Sequence, residues 1–155
     1  MMTELFEVLM VEDDREQAEL IVDTSRVCKA KVQWTVLDNG EAALEALRSG
    51  HQRPGLVLLD LHLPKLGGVD VLRAIKNDPK VSAIPVIIMS HSREQDDISA
   101  AYRLGANCYI AKPASFEGLC SLVRFVEAFL ALPVADAGVI RPALQQSKVN
   151  EHTMN

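Results

Sequence analysis

Long apolar runs are absent from this chain of 155 residues. No segment approaches the roughly 18 to 20 uninterrupted apolar residues of a transmembrane helix, and the acidic start, residues 1–4, lacks the basic region of a signal peptide. With 48% hydrophobic and 24% charged residues, the composition is that of a globular domain rather than a disordered chain. We therefore expect a cytoplasmic protein without membrane contact.

Cysteine is scarce as well. Cys28, Cys108 and Cys120 are odd in number and none of them forms a Cys-x-x-Cys motif. A disulfide framework and a thiolate zinc site are therefore not indicated. We expect three reduced and mostly buried thiols.

Basic residues do not outnumber acidic ones. The 16 Lys and Arg residues against 21 Asp and Glu residues give a net charge of −5. Because nucleic-acid-binding proteins gain much of their affinity from cations that neutralise phosphates, this balance argues against a nucleic-acid partner. It is compatible with an oxygen-rich cation site, provided that the carboxylates converge in space.

Short apolar segments alternate with segments of helical periodicity in five β–α units. The predicted strands cover residues 5–11, 31–37, 56–60, 84–89 and 107–110, and the predicted helices cover residues 14–28, 41–47, 69–76, 94–104 and 115–130. Near-continuous apolar strands indicate a parallel sheet covered on both faces, because each parallel connection needs a crossover, normally a helix. We therefore predict a doubly wound α/β domain over residues 1–132. Residues 133–155 lose the periodicity and are interpreted as a tail, mobile or partly packed at a dimer interface.

Polar side chains follow four of the predicted strands. Glu12 and Asp13 follow the first strand, Asp60 ends the third, Ser90 follows the fourth and Lys112 follows the fifth. In open parallel sheets, ligands bind beyond the carboxyl ends of the strands. We therefore expect three carboxylates, one hydroxyl and one ammonium to meet at one edge.

These side chains suit phosphoryl transfer. A few carboxylates with room for water and phosphate oxygens suit Mg²⁺. Asp60 is the candidate acceptor, because a carboxylate can attack phosphorus once a metal neutralises the donor's charge. Ser90 can donate a hydrogen bond to a phosphoryl oxygen, and Lys112 can balance negative charge. No Gly-rich nucleotide loop accompanies them.

Five short motifs lie at or near the ends of the predicted strands, in a fixed order along the chain. They are residues 11–13 (VED), 59–68 (LDLHLPKLGG), 88–90 (IMS), 105–106 (GA) and 112–113 (KP). On these motifs, residues 5–132 resemble the receiver domains of bacterial two-component response regulators. The resemblance implies a five-stranded flavodoxin-like sheet in the order 2-1-3-4-5.

The resemblance also implies roles for the acidic residues. Asp60 matches the residue that takes a phosphoryl group from the phosphohistidine of a sensor histidine kinase. Glu12, Asp13, Asp60 and the backbone carbonyl of His62 match the protein ligands of Mg²⁺.

Further positions match the residues that respond to the phosphoryl group. Ser90 and Lys112 match the family's hydroxyl residue and lysine. Tyr109 matches the aromatic residue whose ring turns inward as the hydroxyl residue moves. The Lys112–Pro113 bond matches a cis peptide of the family.

A narrower resemblance concerns the possible kinase. Residues 75–79 and 105–113 are similar to the single-domain regulators paired with phytochrome histidine kinases. The sequence departs from the family at Gly67, where an acidic or amide residue is commoner, and residues 133–155 contain no recognisable effector domain.

The fifth predicted helix is unusually apolar. Its large apolar residues cover roughly 220° of a helical wheel, about twice what contact with one sheet requires. The excess, centred on Leu122, Phe125 and Phe129, predicts an exposed strip that forms a homodimer interface.

Three functions are compatible with these residues. The preferred one is a phosphoaccepting signalling module in a phosphorelay, with no enzymatic activity beyond self-phosphorylation and autodephosphorylation. An aspartyl phosphatase of the haloacid dehalogenase type needs a second Asp at position 62, which is His. A phosphate-independent scaffold is the remaining alternative.

Overall fold

The five β–α units of the sequence are all formed. The computed structural model describes residues 4–131. The strands are β1 (Phe6–Val11), β2 (Val32–Leu37), β3 (Leu56–Asp60), β4 (Val86–Ser90) and β5 (Cys108–Ala111), and the helices are α1 (Arg15–Val27), α2 (Gly40–Ser49), α3 (Gly68–Asn77), α4 (Gln95–Leu104) and α5 (Phe116–Ala131). Every predicted element is confirmed, with shifts of at most two residues at its ends. The predicted tail, residues 133–155, lies outside the described residues.

The strands form one parallel sheet in the order β2-β1-β3-β4-β5. Its two faces bury alternate residues of the same strands, as the period of two in a strand requires. On one face, residues such as Leu9, Leu59 and Ile88 pack with α2, α3 and α4, and on the other, Met10, Leu58 and Met89 pack with α1 and α5. The predicted doubly wound fold is confirmed.

A side-chain cap starts α1 at the carboxyl edge of the sheet. The Asp14 side chain accepts hydrogen bonds from the backbone N–H groups of Glu16 and Gln17, at 3.0 and 3.3 Å, so α1 begins immediately after Glu12 and Asp13. Short connections of this kind hold the strand ends and the helix starts together at one edge.

No helix within residues 4–131 has the length and apolar character that a membrane span demands.

A buried lysine joins three elements at the opposite, amino edge. The Lys76 Nζ donates hydrogen bonds to the backbone carbonyls of Ser82 at 3.1 Å and Ile84 at 2.8 Å, and to Asn107 Oδ1 at 3.4 Å. Asn107 Oδ1 also accepts a hydrogen bond from the backbone N–H of Val86. The end of α3 is thus connected to the starts of β4 and β5.

The apolar arc of α5 has a different explanation from the one predicted. Leu122 is only 3% exposed and packs in the core, so its assignment to an exposed strip is wrong. Phe129 is half-buried against the same core, whereas Phe125 is 40% exposed. The arc is wide because α5 contacts α1 as well as the sheet. Of the predicted strip, Phe125 is the residue that reaches solvent most fully.

Candidate functional site

The predicted carboxylates meet at the carboxyl edge of the sheet. β1 and β3 are adjacent and parallel, with Val11 opposite Leu59, so the next residues, Glu12 and Asp60, emerge side by side. One carboxylate oxygen each from Glu12, Asp13 and Asp60 lies within 4.8 Å of the other two. Glu12 and Asp60 are 1% and 4% exposed, whereas Asp13 faces solvent. Two of the three carboxylates are therefore shielded, and the third keeps the cluster open to water.

Lys112 extends into this cluster from the end of β5. Its Nζ lies 2.7 Å from Glu12 Oε1 and 3.1 Å from Asp60 Oδ2, and its side chain is 5% exposed. A buried ammonium is tolerated because these carboxylates compensate for its lost hydration. Three carboxylates around one ammonium still leave an excess of negative charge, which a divalent cation can balance.

The close packing of charged groups changes the pKa values of Glu12 and Lys112. Burial, reinforced by the hydrogen bond and repulsion from Asp60, raises the pKa of Glu12 from 4.5 to about 7. Burial alone would lower the pKa of Lys112, but its contacts with Glu12 and Asp60 outweigh burial and raise it. The ammonium form of Lys112 is thus favoured, while a proton and a cation compete for the same carboxylates.

Ser90 is fully buried at the end of β4, which lies between β3, the strand that ends in Asp60, and β5, the strand that Lys112 follows. Its carbonyl accepts a hydrogen bond from the backbone N–H of Lys112 at 2.8 Å. Its Oγ accepts one from the backbone N–H of Ser92 at 3.1 Å. The hydroxyl is therefore tied to the loop between β4 and α4.

The same loop is tied to Tyr109. The half-buried Tyr109 donates its hydroxyl hydrogen to the backbone carbonyl of Ser92 at 2.8 Å, and Ser92 Oγ donates to the Asp97 carboxylate on α4. Ser92 thus links Ser90, Tyr109 and α4. The sequence places Ser92 beside the site, two residues beyond Ser90, but it did not predict the hydrogen bonds of Ser92 with Tyr109 and Asp97.

Two predicted features next to the site have separate outcomes. The backbone N–H of His62 donates a hydrogen bond to Asp60 Oδ1 at 3.1 Å, and its side chain is exposed, while the role of its carbonyl stays a prediction. The predicted cis bond at Lys112–Pro113 is wrong, because no peptide bond in residues 4–131 is cis. The bond has the trans form, which is favoured for X–Pro by about 0.5 to 1 kcal/mol.

Gly68 is a site residue whose role the sequence reasoning missed. A Cβ at this position would lie 2.2 Å from the backbone oxygen of Asp60 and 2.6 Å from Leu61 Cα. Its backbone N–H donates a hydrogen bond to the Leu61 carbonyl at 3.0 Å. Gly68 thus lets the loop after β3 close against the backbone of Asp60. At the adjacent Gly67, the nearest atom to an added Cβ is Asp70 Oδ2 at 4.0 Å, so that position is not sterically restricted.

Comparison with protein families decides the class of this domain. Residues 8–124 match the family model described as the response regulator receiver domain. The chain belongs to this family. The protein is thus a receiver domain of two-component signalling systems, a family whose membership implies phosphorylation.

Individual relatives agree with this membership. The chain is 34% identical over 137 residues to response regulator Rcp1 of Synechocystis sp., a match that covers 83% of this chain and 93% of Rcp1. The crystal structure of the phosphorylated cyanobacterial phytochrome response regulator RcpA is similar, with a TM-score of 0.74, 35% identity and coverage of 81% of this chain and 94% of RcpA.

The Mn²⁺-bound form of Rcp1 is also similar in structure. It has a TM-score of 0.72 and 33% identity, and the match covers 80% of this chain and 93% of the Rcp1 chain. The predicted resemblance to phytochrome-associated regulators is confirmed by these relatives. For this chain, the acidic cluster is compatible with a divalent metal ion.

Proposed function

We propose that Asp60 accepts a phosphoryl group from the phosphohistidine of a sensor histidine kinase. The observation that carries this proposal is the buried Asp60 carboxylate held between Lys112 and the other two acidic residues. In the transfer, a carboxylate oxygen of Asp60 forms a bond to phosphorus as the P–N bond breaks. The imidazole nitrogen keeps the electron pair and takes up a proton, and an acyl phosphate is left on Asp60.

The residues present fit Mg²⁺ as the cation of this site. Glu12, Asp13 and Asp60 offer hard oxygen atoms within 4.8 Å of one another, and the exposure of Asp13 leaves room for water and phosphate oxygens. These three residues and the backbone carbonyl of His62 would hold the ion. The chemistry that bound Mg²⁺ supplies is charge neutralisation at the phosphoryl oxygens.

Lys112 and Ser90 respond to the new charge. Lys112, already 3.1 Å from Asp60 Oδ2, stays beside the acyl phosphate and balances part of its charge. The Ser90 hydroxyl donates a hydrogen bond to a phosphoryl oxygen. Because the backbone of Ser92 bonds both Ser90 Oγ and Tyr109, movement of Ser90 also displaces Tyr109 and the start of α4. Phosphorylation thereby shifts the population between two arrangements of this loop.

The intact mass after incubation with acetyl phosphate tests the site without a kinase. We expect one phosphoryl group on the wild type with Mg²⁺, and none with EDTA or on Asp60→Asn. Asp70→Asn removes an exposed carboxylate of α3 and should be labelled like the wild type.

Binding of beryllofluoride, measured by fluorine NMR, separates rapid hydrolysis from an inactive site. A wild type that neither gains a phosphoryl group nor binds beryllofluoride would favour the phosphate-independent scaffold. Equal labelling of Asp60→Asn would contradict Asp60 as the acceptor.

The partner kinase is proposed from the relatives. RcpA is a phytochrome response regulator, so a phytochrome histidine kinase is the first donor to test. A purified phosphorylated kinase of this class should transfer its label to the wild type within seconds to minutes and not to Asp60→Asn. Transfer that is no faster than from unrelated phosphorylated kinases would contradict the pairing.

We also propose that α5 forms a homodimer interface around Phe125. Phe125 is 40% exposed, and the ring of the half-buried Phe129, four residues further along the same side of the helix, lies 6.1 Å from the Phe125 ring. An exposed aromatic residue beside a second one is typical of interfaces.

Light scattering over a range of concentrations, with and without beryllofluoride, tests the dimer. The wild type should form a dimer that Phe125→Glu dissociates, whereas Leu20→Glu, at a 53% exposed position of α1, should leave it intact. A wild type that is monomeric at every concentration in both states would contradict the proposal.

A further inference from the structure

Two cysteines that are remote in sequence lie against each other in the fold. Cys28 directly follows α1, and Cys120 lies near the start of α5, 92 residues further along the chain. Their sulfur atoms are 3.4 Å apart, and both residues are half-buried rather than sealed in the core. They lie on the face of the sheet that carries α1 and α5.

The backbone around Cys28 is already attached to α5. The loop after α1 is closed by hydrogen bonds from the N–H groups of Cys28 and Ala30 to the carbonyls of Thr24 and Ser25. The backbone N–H of Lys31 then donates a hydrogen bond to the carboxylate of Glu127 on α5 at 2.6 Å. This contact holds the loop beside α5 independently of the two sulfur atoms.

We propose that Cys28 and Cys120 are an oxidisable thiol pair, which a hydroperoxide converts to an intramolecular disulfide between the α1–β2 loop and α5. A disulfide has sulfur atoms about 2.05 Å apart, so the pair must approach by only about 1.4 Å from its 3.4 Å separation. Because the loop is already anchored to α5, side-chain rotation and a small shift of the loop achieve this approach.

The oxidation balances with hydrogen peroxide as the oxidant. One thiolate attacks a peroxide oxygen, the O–O bond breaks, and a sulfenic acid and hydroxide form. The second thiolate then attacks the sulfenic sulfur, the S–O bond breaks, and a second hydroxide leaves as the S–S bond forms. The two hydroxides take up the two thiol protons as water, and each sulfur has lost one electron. Burial and the nearby Cys28 raise the pKa of the Cys120 thiol, so oxidation requires sustained exposure to peroxide.

The disulfide would join positions 92 residues apart. A cross-link over so long a loop restricts the unfolded chain strongly, so the oxidised protein should melt roughly 10 °C above the reduced protein. The same bond would hold α5 against the end of α1. Neither effect depends on phosphorylation of Asp60.

The test is peptide mapping of the full chain after incubation with excess hydrogen peroxide and alkylation of the remaining thiols. The wild type should lose two hydrogen atoms, yield a peptide pair linked through Cys28 and Cys120, and return to three alkylated thiols after reduction. Cys108→Ser retains the pair and should oxidise in the same way. Cys28→Ser should form no disulfide and should leave a sulfenic acid on Cys120 that dimedone captures.

Several outcomes would overturn the proposal. They are a wild type that keeps three alkylatable thiols, one that gains oxygen atoms without forming the linked peptide, a bond that involves Cys108, and a bond found only between two chains. The mapping is made on the wild type itself, so a folding defect in a serine variant would not obscure the result.

Discussion

Lys112 and Lys76 have buried side chains at opposite edges of the same sheet, and they donate hydrogen bonds to different kinds of acceptor. At the carboxyl edge, the ammonium of Lys112 contacts the carboxylates of Glu12 and Asp60. At the amino edge, three hydrogen bonds of Lys76 reach two backbone carbonyls and one amide oxygen. A site that gains charge during function needs more ionisable groups than a single ion pair contains. A structural link needs only hydrogen-bond acceptors at fixed positions. We therefore expect loss of Lys112 to impair phosphorylation, and loss of Lys76 to impair folding.

Lys112→Met should have the largest effect on function. Without the ammonium, the charge that develops on the phosphoryl group beside Asp60 is less well balanced, so labelling by acetyl phosphate should slow at least about 100-fold. Lys65→Met removes an exposed lysine at the same edge and should be labelled at the wild-type rate. The rate is measured by intact mass over time. Near-normal labelling of Lys112→Met would contradict a role of Lys112 in phosphorylation.

Gly68→Ala tests whether the loop after β3 can move away from the backbone of Asp60. The new methyl group would lie 2.2 Å from the backbone oxygen of Asp60, so the loop must shift, at a cost of about 3 kcal/mol in the free energy of unfolding. Gly67→Ala, one residue earlier, has open space and should change stability by less than about 1 kcal/mol. Urea denaturation of both variants decides the matter, and equal stability of the two would show that the loop yields easily.

Lys76→Met should lower the stability of the fold and leave the labelling rate unchanged, in contrast to Lys112→Met. It leaves the carbonyls of Ser82 and Ile84 without a donor that they now have, so the free energy of unfolding should fall by about 2 to 3 kcal/mol. The folded fraction should still be labelled at the wild-type rate, because Lys76 lies at the edge opposite Asp60. Lys80→Met, at an exposed position just beyond α3, serves as the control in urea denaturation. A labelling defect as severe as that of Lys112→Met would abolish the distinction between the two lysines.

Glu12→Gln tests whether the excess of carboxylates in the acidic cluster makes the free energy of unfolding depend on pH. The pKa of Glu12 is about 7 in the folded protein against an ordinary value of 4.5, so between these values the folded chain holds a proton that the unfolded chain has released. The stabilisation is complete below pH 4.5 and is lost as the pH rises to about 7, at a slope of at most about 1.4 kcal/mol per pH unit.

Urea denaturation in EDTA from pH 4.5 to 8 measures this slope. Glu12→Gln should be less dependent on pH than the wild type, whereas Glu41→Gln, at an exposed position of α2, should match it. Identical pH profiles for the wild type and Glu12→Gln would contradict a raised pKa of Glu12 in the folded protein.

Sequence patterns predicted the elements, the layers and most of the site, whereas the strand order 2-1-3-4-5 came from the family resemblance. The period of the apolar residues predicts all ten elements, and the residue types at the strand ends predict Glu12, Asp60 and Lys112, because parallel strands bring their carboxyl ends to one edge. Periodicity was less informative on α5. It counts apolar residues without showing what covers each one, and so it placed the buried Leu122 in an exposed strip.

Some sequence motifs acquired a physical reason only in the structure. Gly105 has a φ of 115°, and a Cβ there would lie 2.8 Å from Lys76 Cγ, so glycine both ends α4 and makes room for the buried lysine. Gly68 is required by the close approach of the Asp60 backbone. Neither distance can be obtained from the spacing of residues along the chain.

The sequence by itself determined the order of the β–α units, the layers that follow from it and the kinds of side chain at the carboxyl edge, since these depend on local periodicity and on the geometry of parallel strands. Only the tertiary structure decided which side chains touch. It placed Lys112 2.7 Å from Glu12, linked Ser90 to Tyr109 through Ser92, and brought Cys28 to 3.4 Å from Cys120. Such contacts join residues far apart in the chain, and their distances depend on how helices and loops pack on the finished sheet.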